Sequence, residues 1–418
     1  MRFKHPSFLI LAVASLFLSA CSSAKIAPAP ATPSVPWTPE SALQALVEIN
    51  SGTSNREGVN QVQARVAQRL AELGFQTALI DPPAGSEPSG KLLVATLSGT
   101  SAEKITFLMH ADTVFEPSSP FRGFVRSTDG VTARGPGIID DKGGIVVALD
   151  GISKYLTSFH GAKPPRSLEV IVSPGEETGS TAFTKMFADF AKNTRMVLSF
   201  EPGRIDGSIV KERKGNRWYS IRVYGKESHS GKDPRQGVNA CLELTGILSK
   251  ISHLTNYPTG TTTSVGHMQG GQDKFNIVCG EASAKVDTRF VTIAARDRLH
   301  AAILKILGKS EVRSADGGIP TRIEFTVVDD SPPLEAIPAS RPFIDKYLAA
   351  IGRAEGKIPE ALSTGGTGDA NTFGGTGAVI LDGLGPIGDH MHTPEEFIRL
   401  PSLRTRSDAL ADFLVNLR

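Results

Sequence analysis

Ile105-Thr106-Phe107-Leu108-Met109 is a nearly unbroken apolar run, and it ends on His110-Ala111-Asp112. A run of this kind fits a strand covered on both faces, as in a parallel sheet flanked by helices. The segments on either side keep to that style. Leu92–Leu97, Leu168–Val172 and Met196–Phe200 read as further short strands. Gly143–Leu156 reads as a helix with Ile145, Ala148, Leu149 and Ile152 on one face, and a helix with Phe183, Phe187 and Phe190 separates two of the strands. Residues 40–75 read as helices, with Gly74 as the stop of the second. Alternation of this sort predicts an α/β fold with a mostly parallel sheet.

From about Lys211 the pattern changes. Trp218–Tyr224, Thr261–Met268, Ala282–Phe290 and Thr321–Val328 read as strands, and Val238–Ile251 and Ala294–Leu307 as helices. Two helices with four strands predict an α+β unit inserted in the chain. The α/β style returns after Pro332-Pro333, with a helix over 341–353, a strand at Ala378–Leu381 and a helix over 402–417. The expected layout is therefore 40–210 and 329–418 as one domain, interrupted by 211–328.

Acidic and imidazole residues collect where these strands end. His110 and Asp112 follow one strand, Glu176-Glu177 another, and Glu201 a third. Asp140-Asp141-Lys142-Gly143-Gly144 enters a helix, and His392 lies beyond the strand ending at Leu381. Ligands bind beyond the carboxyl ends of strands in open α/β sheets. Imidazoles mixed with carboxylates suit divalent ions such as Zn²⁺. Two Zn²⁺ carry four positive charges, of which Asp140, Glu177 and Glu201 cancel three and a bridging hydroxide the fourth. Asp140, between two glycine clusters, has room to bridge two ions. His110 and Asp112 are two apart, so on extended backbone they face one side, and Asp112 can accept the second ring N–H of His110. With Glu177 on metal, Glu176 is left as a general base.

Together these motifs resemble the di-zinc metallopeptidase family of glutamate carboxypeptidase, succinyl-diaminopimelate desuccinylase and aminoacylase, and most of all the bacterial glutamate carboxypeptidases. The resemblance rests on Met109-His110-Ala111-Asp112-Thr113, the run Gly135-Pro136-Gly137-Ile138-Ile139-Asp140-Asp141-Lys142-Gly143-Gly144, Glu176-Glu177-Thr178-Gly179-Ser180 and Ser199-Phe200-Glu201-Pro202. It continues in Gly225-Lys226-Glu227-Ser228-His229-Ser230-Gly231, Thr364-Gly365-Gly366-Thr367-Gly368-Asp369-Ala370 and His392-Thr393-Pro394. It implies a zinc-exopeptidase-like catalytic domain with an inserted α+β lid that dimerises, and two Zn²⁺ per subunit, with Co²⁺ or Mn²⁺ as substitutes. His110 and Glu201 would hold one ion, Glu177 and His392 the other, and Asp140 both, with a cis peptide bond to Asp141. The His-Thr-Pro-x-Glu pattern favours His392 over His390 as ligand. Glu176 would be the base, and His229 of the lid would stabilise the oxyanion, often in the partner subunit's site. Arg289, Asn276 and Gly366 match positions that contact substrate. The glutamate carboxypeptidases carry a further Arg near the lid's return, whereas Asp329-Asp330-Ser331-Pro332-Pro333 stands here.

The implied reaction is hydrolysis of an amide bond next to a free carboxylate, releasing a C-terminal amino acid from a small peptide or N-acyl amino acid. An N-acyl amino acid deacylase is the alternative enzyme. An inactive binding lipoprotein on the same fold is the alternative of another class. With 45 Lys and Arg against 43 Asp and Glu in 418 residues, the chain lacks the basic excess of a nucleic-acid binder.

The first residues read as an export signal. Arg2 and Lys4 precede an apolar Phe8–Leu18 segment that is too short to span a bilayer. Leu18-Ser19-Ala20-Cys21 resembles a lipobox, with Cys21 as the lipidated residue, and the following Ser22 resembles the outer-membrane rule. Residues 22–39, rich in Ala and Pro, read as a tether. The expectation is an exported protein on the periplasmic side. It would be anchored by lipid, and soluble there if Cys21 is unmodified. Cys241 and Cys279 either pair or serve as small buried hydrophobes. The second is expected, because neither lies near a chemical motif.

Overall fold

The computed structural model describes residues 37–417 except Asn193. The signal segment, Cys21 and most of the tether lie outside the described residues. Among the described residues, no helix is long and apolar enough to cross a membrane.

The main sheet has six strands in the order Gln76–Ile80, Leu92–Leu97, Ser167–Ser173, Lys104–His110, Met196–Ser199, Val379–Leu381. The last four run parallel, and the first two add antiparallel on one edge. The Lys104–His110 strand lies at the centre and is buried from Ile105 to His110, as its apolar run requires. Gln76–Ile80, which the sequence reading passes over, is an edge strand with three exposed residues. Its short, half-wet pattern carries no apolar signature.

Helix Lys142–Thr157 starts directly at the Asp-Asp-Lys-Gly-Gly run and is buried continuously from Lys142 to Ile152. A helix buried on every side over its first turns belongs inside a domain. It packs against the C-terminal helix Leu400–Val415. A Cβ on Gly151 would lie 2.5 Å from Leu410 Cδ2, so glycine sets that close approach.

A second, small antiparallel sheet joins Gly388–Asp389, Phe397–Arg399, Thr132–Arg134 and Val125–Arg126. Strands of two or three residues have no period to read in a sequence. This sheet sets the 135–141 loop beside the 390–396 loop.

The inserted unit is a four-stranded antiparallel sheet in the order Thr262–Gly270, Glu281–Phe290, Gly215–Tyr224, Arg322–Ser331. Helices Ala240–Ser252 and Ile293–Leu307 cover one face, sharing a core that includes Tyr219, Ile221, Leu244, Ile247, Val286, Leu299 and Ile303. The first helix begins later than its apolar pattern suggests, because Asn239 caps it by accepting the Leu242 N–H. At the root of the insert, Ile209–Arg213 pairs parallel with Ala361–Thr364.

Cys241 and Cys279 form a disulfide, with Cα atoms 5.8 Å apart across 38 residues. This corrects the expectation of two separate buried thiols. The lid topology returns residue 279 to the first turn of helix Ala240–Ser252, where the Ala240 N–H donates to the Cys279 carbonyl at 2.9 Å. Spacing along the chain carries no sign of that approach.

Candidate metal centre

His110, at the end of the central strand, is buried. Its Nε2 lies 3.0 Å from Asp140 Oδ1 and 3.8 Å from Glu201 Oε1. The other oxygen of Asp140 lies 3.2 Å from His392 Nε2, which is also 3.3 Å from Glu177 Oε2. One carboxylate thus reaches two imidazoles, each accompanied by a glutamate. The peptide bond between Asp140 and Asp141 is cis. Two groups of donors result, His110 with Glu176 and Glu201, and Asp140 with Glu177 and His392. Within each group the ligand atoms all lie within 4.8 Å of one another. His390 makes no ion pair or side-chain hydrogen bond with the cluster.

Asp112 does more than the sequence reading assigns it. His110 Nδ1 lies 3.4 Å from its Oδ1 and 3.1 Å from its backbone carbonyl, which fixes the ring. The same carboxylate accepts the N–H groups of Glu176 and Glu177, at 3.0 and 3.2 Å, and the Thr53 hydroxyl at 2.7 Å. It therefore positions a ligand of one group, a ligand of the other and the candidate base between them.

Three further residues support the centre. Glu396 is fully buried and accepts the N–H groups of Gly137, Ile139 and Asp140 at 3.1, 3.0 and 3.3 Å. It is the Glu of the His-Thr-Pro-x-Glu pattern, so a signal for it existed. Arg213 is buried, is held by Asp382, and sets Nη2 3.6 Å from Glu201 Oε2. In the sequence it sits within Lys211-Glu212-Arg213-Lys214, which reads as a solvated charge run. Lys142 donates to the Ile49 and Pro136 carbonyls at 2.8 and 3.3 Å, tying the Gly-Pro-Gly loop to the segment after the first helix. We predict that Glu396→Ala leaves three buried N–H groups without their acceptor. Its cost should be about 3–5 kcal/mol of stability, read as a lower thermal midpoint of the metal-stripped protein. An unchanged midpoint would contradict this role.

Buried acids crowd here around two imidazoles and Arg213. Burial, and then neighbouring Glu201, push Glu176 well above the usual carboxylate range. Burial pushes Glu201 up to about 8 against the pull of Arg213. Burial opposes the charged form of Asp140, but the bonds from His110 and His392 outweigh it and hold its carboxyl low. Bonds to Asp140 and Glu177 push His392 up to about 10. Ligands must be deprotonated to bind a metal, so metal binding at these groups should weaken as pH falls. Glu177 Oε1 is buried with no hydrogen-bond partner, which a metal bond would remedy. The donor set fits divalent cations such as Zn²⁺, with nitrogen and oxygen ligands in each group.

The glycine loop after Thr364 overlies the centre. A Cβ on Gly368 would stand 3.5 Å from both Glu176 Oε1 and Glu201 Oε1, and one on Gly366 would stand 3.9 Å from Arg213 Nη1. His229, Asn276 and Arg289 lie on the insert, and none of their hydrogen bonds or ion pairs goes to the cluster. Arg289 Nε donates to Asp287 at 2.9 Å. The Asn276 carbonyl accepts the Ser230 N–H at 3.0 Å. His229 is exposed, and its Nδ1 accepts the N–H groups of Gly231 and Lys232 at 3.2 and 3.1 Å. With Nδ1 accepting both bonds, the neutral ring carries its proton on Nε2.

An α/β sheet with imidazoles and carboxylates gathered at its strand ends, and an α+β insert rooted beside them, defines a metallohydrolase. Over most of its length the chain is similar to metallopeptidases and related amidohydrolases of the M20 type. Residues 211–314 match the family described as peptidase dimerisation domain. The chain is 27% identical over 382 residues to carboxypeptidase G2 of Pseudomonas sp. (strain RS-16), covering 90% of this chain and 88% of that one. It is 26% identical over 330 residues to a succinyl-diaminopimelate desuccinylase of Bradyrhizobium sp. (strain ORS 278), covering 73% and 81%. The fold is shared with the M20 family metallo-carboxypeptidase Sso-CP2 of Sulfolobus solfataricus, with TM-score 0.70 and 16% identity over 90% of this chain and 98% of that one.

Proposed function

We propose that this metallohydrolase uses two Zn²⁺ to cleave an amide bond next to a free carboxylate, releasing a C-terminal amino acid from a short peptide or N-acyl amino acid. The observation that carries the reading is the Asp140 carboxylate spanning His110 and His392, with Glu176 beside it. His110 and Glu201 would hold one ion, Glu177 and His392 the other, and Asp140 both. When bound, the ions polarise the scissile carbonyl and acidify a water. Glu176 takes a proton from the attacking water and returns it to the departing amine nitrogen, so it ends the cycle as it began. His229, with its proton on Nε2, donates to the oxygen that gains negative charge. The match to a dimerisation domain supports a homodimer in which the lid serves the partner's site.

Arg289, with Asn276 and Gly366, is assigned to the substrate carboxylate. Arg289→Ala should raise KM about tenfold or more with a smaller change in kcat; an unchanged KM would move carboxylate recognition elsewhere. At the lid's return, Asp330 is occupied by Arg217 at 2.8 and 2.6 Å, and no arginine stands in the 329–333 stretch. This weighs against a site restricted to C-terminal glutamate, and leaves another acidic or an apolar residue open as the preferred one. The relation to a desuccinylase supports N-acyl amino acid deacylation as the second reading. A panel of peptides and N-acyl amino acids sharing one C-terminal residue separates the two. Peptides cleaved better than acyl amino acids support the carboxypeptidase, the reverse supports the deacylase, and cleavage of neither would sink both.

Export and a lipid anchor on Cys21 at the periplasmic face complete the proposal. Mass spectrometry of the mature protein should find Cys21 acylated at the N-terminus, and an unmodified chain lacking Cys21 would exclude the anchor.

A further inference from the structure

We propose that the Cys241–Cys279 disulfide is a positioning element for His229 and Asn276, a role that rests on the assignment of those two residues to substrate. Hydrogen bonds rather than packing hold their loop, among them Gln272 Nε2 to Glu227 Oε1 at 2.9 Å. Residues 271–276 are all exposed, and Phe275 at the tip is fully exposed among the described residues. A segment without apolar contacts keeps its place only through its ties.

Those ties run in series. Ile277 pairs with His229 across an antiparallel bridge. On either side of that bridge, the Ser230 N–H donates to the Asn276 carbonyl and the Val278 N–H donates to the Ser228 carbonyl, each at 3.0 Å. His229 and Asn276 are therefore placed as one unit. Cys279 follows immediately, and the disulfide joins it to Cys241 in the first turn of helix Ala240–Ser252. That helix is seated in the lid core by Leu244, Ile247 and Ile251. The bridge also touches the loop's other end. A Cβ on Gly270 would fall 2.7 Å from Cys241 Sγ, and one on Gly271, at φ +71°, would fall 3.6 Å from Cys279 Sγ. Entry and exit of the loop are thus both packed on the same pair of sulfurs. The Gly271 N–H, donating to the Glu281 carbonyl at 2.9 Å, closes the neck. The disulfide links a rigid core to two side chains that must reach a reacting centre, and small displacements of such groups are costly to rate.

The test compares the full chain with its Cys241→Ser/Cys279→Ser variant, each with and without His229→Ala. Zinc content, thermal midpoint, kcat and KM are measured, with hydrogen exchange over 271–280. The expected result is unchanged zinc and a faster-exchanging loop. kcat/KM should fall about tenfold, mostly in kcat, and His229→Ala should cost much less without the bridge than with it. A purely structural disulfide would lower the midpoint but leave that coupling at zero. Should the serine pair fail to fold, the native protein reduced in place by a phosphine gives the same comparison. Full kcat/KM and an unchanged His229→Ala effect without the bridge would overturn the proposal. If His229→Ala and Asn276→Ala leave the bridged enzyme at full activity, the substrate assignment itself falls, and the positioning role falls with it.

Discussion

Glu176→Gln is expected to lower kcat by about 10²- to 10⁴-fold while the protein keeps its full metal content. Gln matches Glu in shape but cannot take up a proton. The backbone of residue 176 would stay in place, because Asp112 holds it through the N–H and not through the side chain. Metal content is the second half of the experiment for a structural reason. Glu176 lies in the same donor group as His110 and Glu201, with one ligand atom of each within 4.8 Å of the others. A variant that loses turnover together with one metal equivalent would make Glu176 a ligand. One that keeps near-normal kcat would remove it from the mechanism.

Asp140→Asn is expected to have the other large effect. Each oxygen of Asp140 faces a different imidazole, at 3.0 and 3.2 Å. An amide offers one oxygen and turns an N–H₂ toward the second ring, so one side loses its acceptor and the centre loses a negative charge. Loss of a group that merely orients a ligand costs about 10- to 100-fold in metal affinity, so loss of the shared ligand should cost at least about a hundredfold. Competition with a chelator measures this directly. Unchanged affinity would mean that Asp140 does not bridge.

How much of this was legible in the sequence depended on the kind of signal each residue carried. The strand ending at His110 announced itself because burial on both faces demands an apolar run, and the same logic placed Glu176, Glu177 and Glu201 at strand ends. Asp140 and His392 come from loops whose approach depends on a sheet of two- and three-residue strands, too short for any periodicity. Their loops were recognisable by motif, whereas the sheet that joins them was not. Arg213 was hidden for the opposite reason. Its charged neighbours look solvated, but the short pairing of Ile209–Arg213 with Ala361–Thr364 turns it inward toward Glu201. The disulfide was illegible because its two cysteines meet only once the lid sheet has folded.

The most direct test of the central claim is metal content and turnover measured on one sample of purified protein, before chelation, after it, and after Zn²⁺ is returned. The account predicts about two metal ions per chain, release of a C-terminal amino acid that stops on chelation, and recovery with zinc. Turnover that survives complete removal of metal, or a protein that takes up no zinc, would contradict it.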